Sequence, residues 1–342
     1  MTDAEKDVHQ QAAEFLERQL EAEKPTLDAD LRRSLASLGA HLAERRTEAE
    51  QERPTVTESA PQPTAKVLQF PLPFLEQTRA VSNPLARCSL FAPVKERQNF
   101  RDYVLVGEVD GVKIEFKGEQ LNQDDHDTFL QLVKMGNHKP FGEDIIQAVN
   151  PVLRGLGRGT YKSQRKQFFL EVDRLVSGTL RFTPKGKPSY ICHLIDDAST
   201  PQDQAVLPEY QRRLTYRLNP KISLFYKSAV YTLFDWQERV KIKGRGSELS
   251  KWLHLWIISN AEQFAHKVET IRDKCGSNDK TLKSFRQKLR QALDLLKEAG
   301  IICTWRIDDA DLVHIERAPS PTQLCHLAKK ARKPLTKRPP KG

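Results

Sequence analysis

Between about residue 98 and residue 316 one pattern runs twice: strand, helices, then a pair of facing strands. A chain that repeats such a pattern is constrained to two copies of one α+β architecture. In the first copy, the apolar run 103–106 and residues 112–116, which alternate apolar and polar, flank Asp110-Gly111, a strong hairpin signal. Phe129, Leu130, Leu132 and Val133 predict a helix ended by Gly136, and the apolar segment 145–149 is broken by Asn150-Pro151. Tyr161, Phe168, Val172 and Leu175 share one face of a longer helix that stops at Gly178. Strands 179–183 and 190–194 then face each other across a Pro-Lys-Gly-Lys-Pro turn.

The second copy begins with strands expected at 214–218 and 222–225. Leu249, Trp252, Leu253, Trp256 and Ile257 predict a buried helix stripe, and Val268, Ile271 and Cys275 a shorter helix ending at Gly276. Ser277 or Asn278 is the expected N-cap of a third helix. On that helix Leu282, Phe285, Leu289, Ala292, Leu293 and Leu296 form one stripe, and Ala299-Gly300 ends it. Residues 301–305 and 312–315 pair across 308–311.

Helix, helix, longer helix and ribbon is the order of a winged helix-turn-helix, whose long helix enters the major groove of DNA. The fold expectation is therefore α+β, with tandem winged helix-turn-helix domains at 98–205 and 206–317. Opposite the apolar stripe of the last helix, Lys283, Arg286 or Gln287, and Arg290 recur every three to four positions, flanked by Lys280 and Lys288. Residues 280–291 hold five bases and no acid, whereas a merely solvated helix face mixes signs. With Asn278, Thr281 and Ser284 this face suits phosphates and base edges. The first copy offers Arg158, Thr160, Lys162, Ser163, Lys166 and Gln167 at the start of its long helix, and Lys185 and Lys187 at the tip of its ribbon. The second ribbon turn, with Asp308, Asp309 and Asp311, would be repelled by phosphate and is expected to have no DNA role. The basic loop Arg239, Lys241, Lys243 and Arg245 either touches phosphate or is simply exposed.

Charge supports a polyanionic partner. The 342 residues carry a net +10, unevenly spread: residues 1–65 hold 14 acids and 8 bases, and from Arg317 onward there are 8 bases and no acid. In the acidic head, Val8, Ala12, Phe15, Leu16 and Leu20, then Leu27, Leu31, Leu35, Leu38 and Leu42, are spaced as two short amphipathic helices. Residues 53–65 read as an extended linker, 66–97 as a connector, and 318–342 as a basic, disordered tail. No run of 18 apolar residues could span a bilayer, and the acidic N-terminus is not a secretory signal. Five widely spaced cysteines exclude a disulfide framework and a zinc ribbon, and suit a reducing cytoplasm.

Signals of enzymatic chemistry fail on inspection. The glycine-rich stretch 155–159 lacks the Gly-Lys-Ser/Thr of a phosphate loop and does not follow a strand. Asp124-Asp125-His126-Asp127 has metal-ligand residue types, but no second cluster completes a shell; a helix N-terminus explains it better. Tyr161, Tyr190, Tyr216 and Tyr226 could be nucleophiles, but no metal motif accompanies them. The expectation is a non-enzyme without cofactor or metal, and the rival readings are a paired winged-helix repressor, a relaxase- or primase-like enzyme, or a protein scaffold.

Particular words in the chain resemble the TrfA family of plasmid replication initiators. These are Arg79-Ala80-Val81-Ser82-Asn83 with Ala86-Arg87-Cys88-Ser89-Leu90-Phe91, then Lys267-Val268-Glu269-Thr270-Ile271-Arg272 with Cys275-Gly276-Ser277, and Asp311-Leu312-Val313-His314. The resemblance covers roughly 69–317 and is most specific over 267–317. It implies an initiator that binds direct repeats (iterons) in double-stranded DNA at a plasmid origin, helps melt an adjacent segment and brings in the host replicative helicase. Members can self-associate, so a homodimer is one expectation, although no sustained heptad shows it here. The family also carries a peptide for the polymerase's sliding clamp, and the matching place reads Gln69-Phe70-Pro71-Leu72-Pro73-Phe74. Gln69, Leu72 and Phe74 keep a looser Gln-x-x-Leu-x-Phe spacing; the alternative is an apolar strap on the first domain.

Overall fold

The structure is a computed structural model, and it describes residues 77–199, 213–226, 231–260 and 265–317. The expected head helices, the linker, the Gln69–Phe74 segment and the tail from 318 lie outside the described residues. What is described mixes helices and strands around two hydrophobic cores. One runs from Ala80 to Leu255 and the other from Ile242 to Val313.

The chain enters the first core through β1 (Thr78–Ser82), the short α1 (Asn83–Ala86) and β2 (Phe91–Ala92). Further on, Asp110 and Gly111 both adopt left-handed φ, +52° and +76°, the geometry that joins twisted strands in a two-residue hairpin. They connect β3 (Asn99–Val109) to β4 (Val112–Glu119). β4 also pairs with β7 (Thr179–Pro184), and β7 with β8 (Tyr190–Cys192), so the early hairpin and the late ribbon form one four-stranded antiparallel sheet. Ile114, Phe116, Leu180 and Phe182 point into the first core, while Leu105 and Ile191 lie on the outer face. Smaller sheets complete this part. β1 pairs with β11 (Tyr231–Asp235), β2 runs parallel to β5 (Leu121–Asn122), and β10 (Arg213–Leu218) lies between β6 (Asp144–Ala148) and β9 (Ile195–Ser199).

The apolar segment does end at Asn150-Pro151: β6 stops at Ala148, and the two residues sit in the first turn of α3 (Val149–Gly155), where proline's missing N–H costs no helical bond. Two local expectations change. Residues 222–225 are not a strand but part of a 3-10 helix (Pro220–Tyr226), started by Asn219 Oδ1 accepting the Lys221 N–H at 2.8 Å. Tyr161 leaves the apolar stripe and is the exposed N-cap of α4 (Lys162–Ser177).

The second core has three helices and a small sheet. α6 (Ser247–Ser259), α7 (Val268–Cys275) and α8 (Leu282–Glu298) are followed by β13 (Thr304–Ile307) and β14 (Leu312–Glu316). β14 also pairs with the two-residue β12 (His266–Lys267). α6 is apolar nearly all round because it serves both cores: Trp252, Leu253, Trp256 and Ile257 face the second, Leu255 the first.

Buried charges tie the two cores together. α2 (Gln123–Met135) starts with a capping box between Asn122 and Asp125. Its first-turn acids then take cations from elsewhere. Asp125 accepts from Arg97 at 2.5 Å and from Arg174 on α4 at 3.0 Å. Asp127 pairs with Arg239 of α5 (Trp236–Lys241) and with Lys251 of α6 at 2.7 Å. Arg239 is 1% exposed, and its remaining donors reach Gln123 Oε1 and Lys251 O. Burial works against the charge of Asp127, but the Arg239 and Lys251 cations outweigh it and hold the carboxyl below the usual range. The acid cluster is thus a helix start, as its composition suggested, and also a clasp.

Candidate nucleic-acid interface

The last helix is built from its ends inward. Gly276 ends α7 at φ +67°, and a Cβ there would lie 2.6 Å from Cβ of Ser89, so both the turn and the packing require glycine. The N-cap of α8 is Thr281, not Ser277 or Asn278: its hydroxyl accepts the Ser284 N–H at 3.2 Å. Ser277 instead turns the chain by binding Asp279. Phe285, Leu289, Ala292, Leu293 and Leu296 are all buried, so the opposite side of α8 must face outward.

That outer side carries the expected bases. Lys280, Thr281, Lys283, Gln287, Lys288 and Arg290 are exposed, and Arg286 is partly so. The side chains of Lys280, Lys283, Gln287 and Arg290 make no hydrogen bond or ion pair among the described residues. Two bases do have acid partners. Lys288 Nζ lies 2.7 Å from Asp279 Oδ1. Arg286 holds Asp311 with two bonds, Nε to Oδ1 at 2.9 Å and Nη2 to Oδ2 at 2.8 Å. That pair keeps the Asp311 carboxyl below the usual carboxylate range, chiefly through the Arg286 hydrogen bond. Asn278 is exposed and accepts from Gln98 Nε2 at 3.3 Å.

The first copy treats its bases differently. Arg158 turns inward: Nη1 lies 2.7 Å from Glu171 Oε2, a carboxylate with 0% side-chain exposure, and Gln167 binds the other oxygen. Thr128 completes the site on Glu171. Burial lifts the Glu171 carboxyl above its ordinary range in spite of Arg158. Thr160 is half-buried, and its carbonyl accepts from Arg165. Lys162 and Lys166 stay exposed, but they share the surface of α4 with Tyr161 at 61% and Leu170 at 42% exposure. Lys185 and Lys187 are exposed on either side of Gly186, whose φ of +71° forms the ribbon tip. Of the basic loop, Arg239 is buried in the clasp, whereas Lys241, Lys243 and Arg245 are exposed.

Below the start of α8 a cleft of about 460 Å³ opens between residues 93–96, 245–249 and 277–291. Glu248 lines it, with Oε2 buried and without a hydrogen-bond partner among the described residues. Burial, with Asp124 nearby, pushes its carboxyl up to about 7.

Sequence reasoning missed the acids that face α8, above all Asp311. Its signal was present: Asp308 followed by Asp311-Leu312 is the spacing of a turn in which one carboxylate receives its own chain's N–H groups. Gln69, Leu72 and Phe74 lie outside the described residues. Among the described residues no helix is long and apolar enough to cross a membrane.

Comparison with known proteins gives this geometry relatives. The family model described as TrfA protein matches residues 35–317. A plasmid replication initiator protein TrfA from Escherichia coli is 25% identical over 254 residues, which is 72% of this chain and 63% of that relative's length, less than two thirds of it. A crystal structure of domains 2 and 3 of RctB shares the fold at TM-score 0.50 and 14% identity, over 69% of this chain and 98% of that one. A Pi initiator protein solved in complex with iteron DNA reaches TM-score 0.41 at 10% identity, over 57% of this chain and 95% of that one.

Proposed function

The chain belongs to the TrfA protein family, and on that premise we propose that it is a plasmid replication initiator that binds direct repeats in double-stranded DNA through two winged helix-turn-helix units. In this reading α7 braces α8, α8 enters the major groove, and β13–β14 is the wing; α4 and β7–β8 are the matching parts of the first unit. The observation that carries it is the outer side of α8, where Lys280, Lys283, Gln287 and Arg290 are exposed and make no hydrogen bond or ion pair among the described residues, above an apolar back. Such a face neutralises phosphates and presents donors to base edges.

The protein acts by binding and deforming duplex, without covalent chemistry or a cofactor, in the cytoplasm. It recruits the host replicative helicase, and Gln69, Leu72 and Phe74 dock on the polymerase's sliding clamp. Support for these partners is family membership and, for the clamp, the Gln-x-x-Leu-x-Phe spacing.

The test is binding to origin DNA. Arg286→Ala and Arg290→Ala should each weaken repeat binding about tenfold or more at moderate salt, and with about six phosphate contacts log K should fall against log salt with a slope of roughly −5. Parent-like binding by both variants would remove α8 from the interface. Preference for one palindrome over same-direction repeats would point to a repressor instead.

A further inference from the structure

The acidic turn of the second wing is costly if phosphate attraction is all that matters, because a carboxylate near the DNA backbone repels it. Yet the turn is built to hold one carboxylate in place. Asp308 Oδ1 accepts the N–H groups of Ala310 at 3.0 Å and Leu312 at 2.9 Å, and Oδ2 meets His314 Nε2 at 2.8 Å. Asp311 adopts φ +62°, donates its N–H to Asp308 O and accepts the Val268 N–H, both at 3.0 Å. Its backbone is therefore tied on both sides, and its side chain spans to Arg286 on α8.

The bonding pattern on Arg286 matters. A guanidinium has five N–H donors, and Asp311 takes the edge made by Nε and one N–H of Nη2. The end-on edge, Nη1 with the second N–H of Nη2, has no partner among the described residues, and the side chain is 29% exposed. Two parallel donors on that edge match O6 and N7 of guanine in the major groove. An unsupported arginine would have to freeze a long flexible stem on docking; one already clamped side-on loses less freedom.

We propose that Asp311 is a positioning residue for base readout: it clamps Arg286 side-on so that the free edge of the guanidinium is presented to a guanine. This rests on the reading of α8 as the DNA-contacting helix. It assigns the acidic wing a role in discrimination and none in affinity for the backbone.

The experiment uses the full chain and a pool of duplexes with a randomised centre, sequencing what is bound. Asp311→Asn removes the charge and keeps a side chain that tolerates left-handed φ, and Asp311→Gly removes the side chain with no backbone strain. Both should flatten preference at one G·C position, about tenfold, the same position that Arg286→Ala no longer reads. Affinity for the unselected pool should stay level or rise, since one negative charge is gone. In the Arg286→Ala background, Asp311→Asn should change the preference no further. If both Asp311 variants keep the parent's preference, or merely bind every duplex more tightly with discrimination intact, the clamp is overturned while α8 stands. If Arg286→Ala keeps the parent's preference, or the parent enriches no sequence, the assignment of α8 to base readout falls, and the clamp with it.

Discussion

Each half of the molecule has a long helix in front of a two-stranded ribbon, and each helix is rich in bases, yet the two spend their charge in opposite directions. On and beside α4, Arg158 and Arg174 run inward to Glu171 and Asp125, carboxylates with 0% side-chain exposure. On α8 the acid partners, Asp279 and Asp311, sit at the edges of the helix and leave Lys283, Gln287 and Arg290 exposed, without a hydrogen bond or ion pair among the described residues. The lesson is that a count of bases along a helix does not measure its surface potential. What decides it is where the neighbouring carboxylates are, and a buried carboxylate captures the nearest guanidinium because neither can stay charged alone in an apolar setting.

The sharpest way to break this comparison is to remove an acid from each half. Glu171→Ala leaves the largely buried Arg158 with the more distant Asp124, 4.0 Å away, and should cost up to about 3–5 kcal/mol of unfolding free energy. Asp311→Asn, at a half-exposed pair and with a side chain that tolerates the left-handed φ, should cost no more than about 1 kcal/mol. Urea denaturation of the two variants measures both. Equal losses would mean that the inner and outer pairs are not different in kind.

A second test concerns the acid at the cleft. The Glu248 carboxyl is raised to about 7, so the folded protein holds a proton that the unfolded chain releases near 4.5. Its penalty is absent in acid, grows as pH rises from 4.5 to 7, and is fully present above that. Glu248→Gln should therefore stabilise the protein at pH 8 by up to about 3 kcal/mol and leave it unchanged near pH 4. Melting curves at the two pH values decide it; a gain of equal size at both would mean that the carboxyl is not perturbed in the fold.

How much of this was legible follows the same division. Local signals read well. Asp110-Gly111 marked its hairpin, the stripe from Leu282 to Leu296 marked the buried side of α8, and Gly276 marked a left-handed helix end. Each depends on residues close together in the chain. What could not be read was partnership at long range. Nothing near Arg239 in sequence announces Asp127, 112 residues away, so a buried clasp looked like part of a basic loop. Arg158 looked like a surface base until Glu171 was placed beside it. Tyr161 matched the apolar period but fell at a helix start, where the period has not begun to bury residues. At α8 the bases were legible as an exposed face, and the acid that holds Arg286 was not, because an acidic turn read alone suggests only repulsion.

The same contrast predicts how DNA affinity divides between the halves. Replacing Lys283 and Arg290 together with alanine should weaken repeat binding by about tenfold or more. With two phosphates no longer neutralised, the salt slope should shrink by about 1.8. Replacing Lys162 and Lys166, which share their surface with Tyr161 and Leu170, should weaken binding only about threefold. Salt-titrated binding isotherms compare them directly. Matching losses would place the two helices on an equal footing and break the comparison.

The smallest expected effect is at the first wing. Lys185 and Lys187 stand on either side of Gly186, where even an added Cβ would meet nothing within 4 Å, so the tip projects into open space. It is nonetheless held in place: the Lys185 N–H donates to Gly111 O at 2.7 Å, bracing the tip against the β3–β4 turn, and the Lys187 N–H closes on Pro184 O at 3.0 Å. A braced tip with two exposed ammonium groups contacts phosphate as point charges and reads no base. The double alanine variant should thus lower affinity by about twofold to fivefold at moderate salt, equally for repeat and unrelated duplex, and should leave the base preference of the parent untouched. A loss confined to the repeat sequence would mean that the first half contributes discrimination as well as attraction, and the asymmetry drawn between the halves would then be one of degree only.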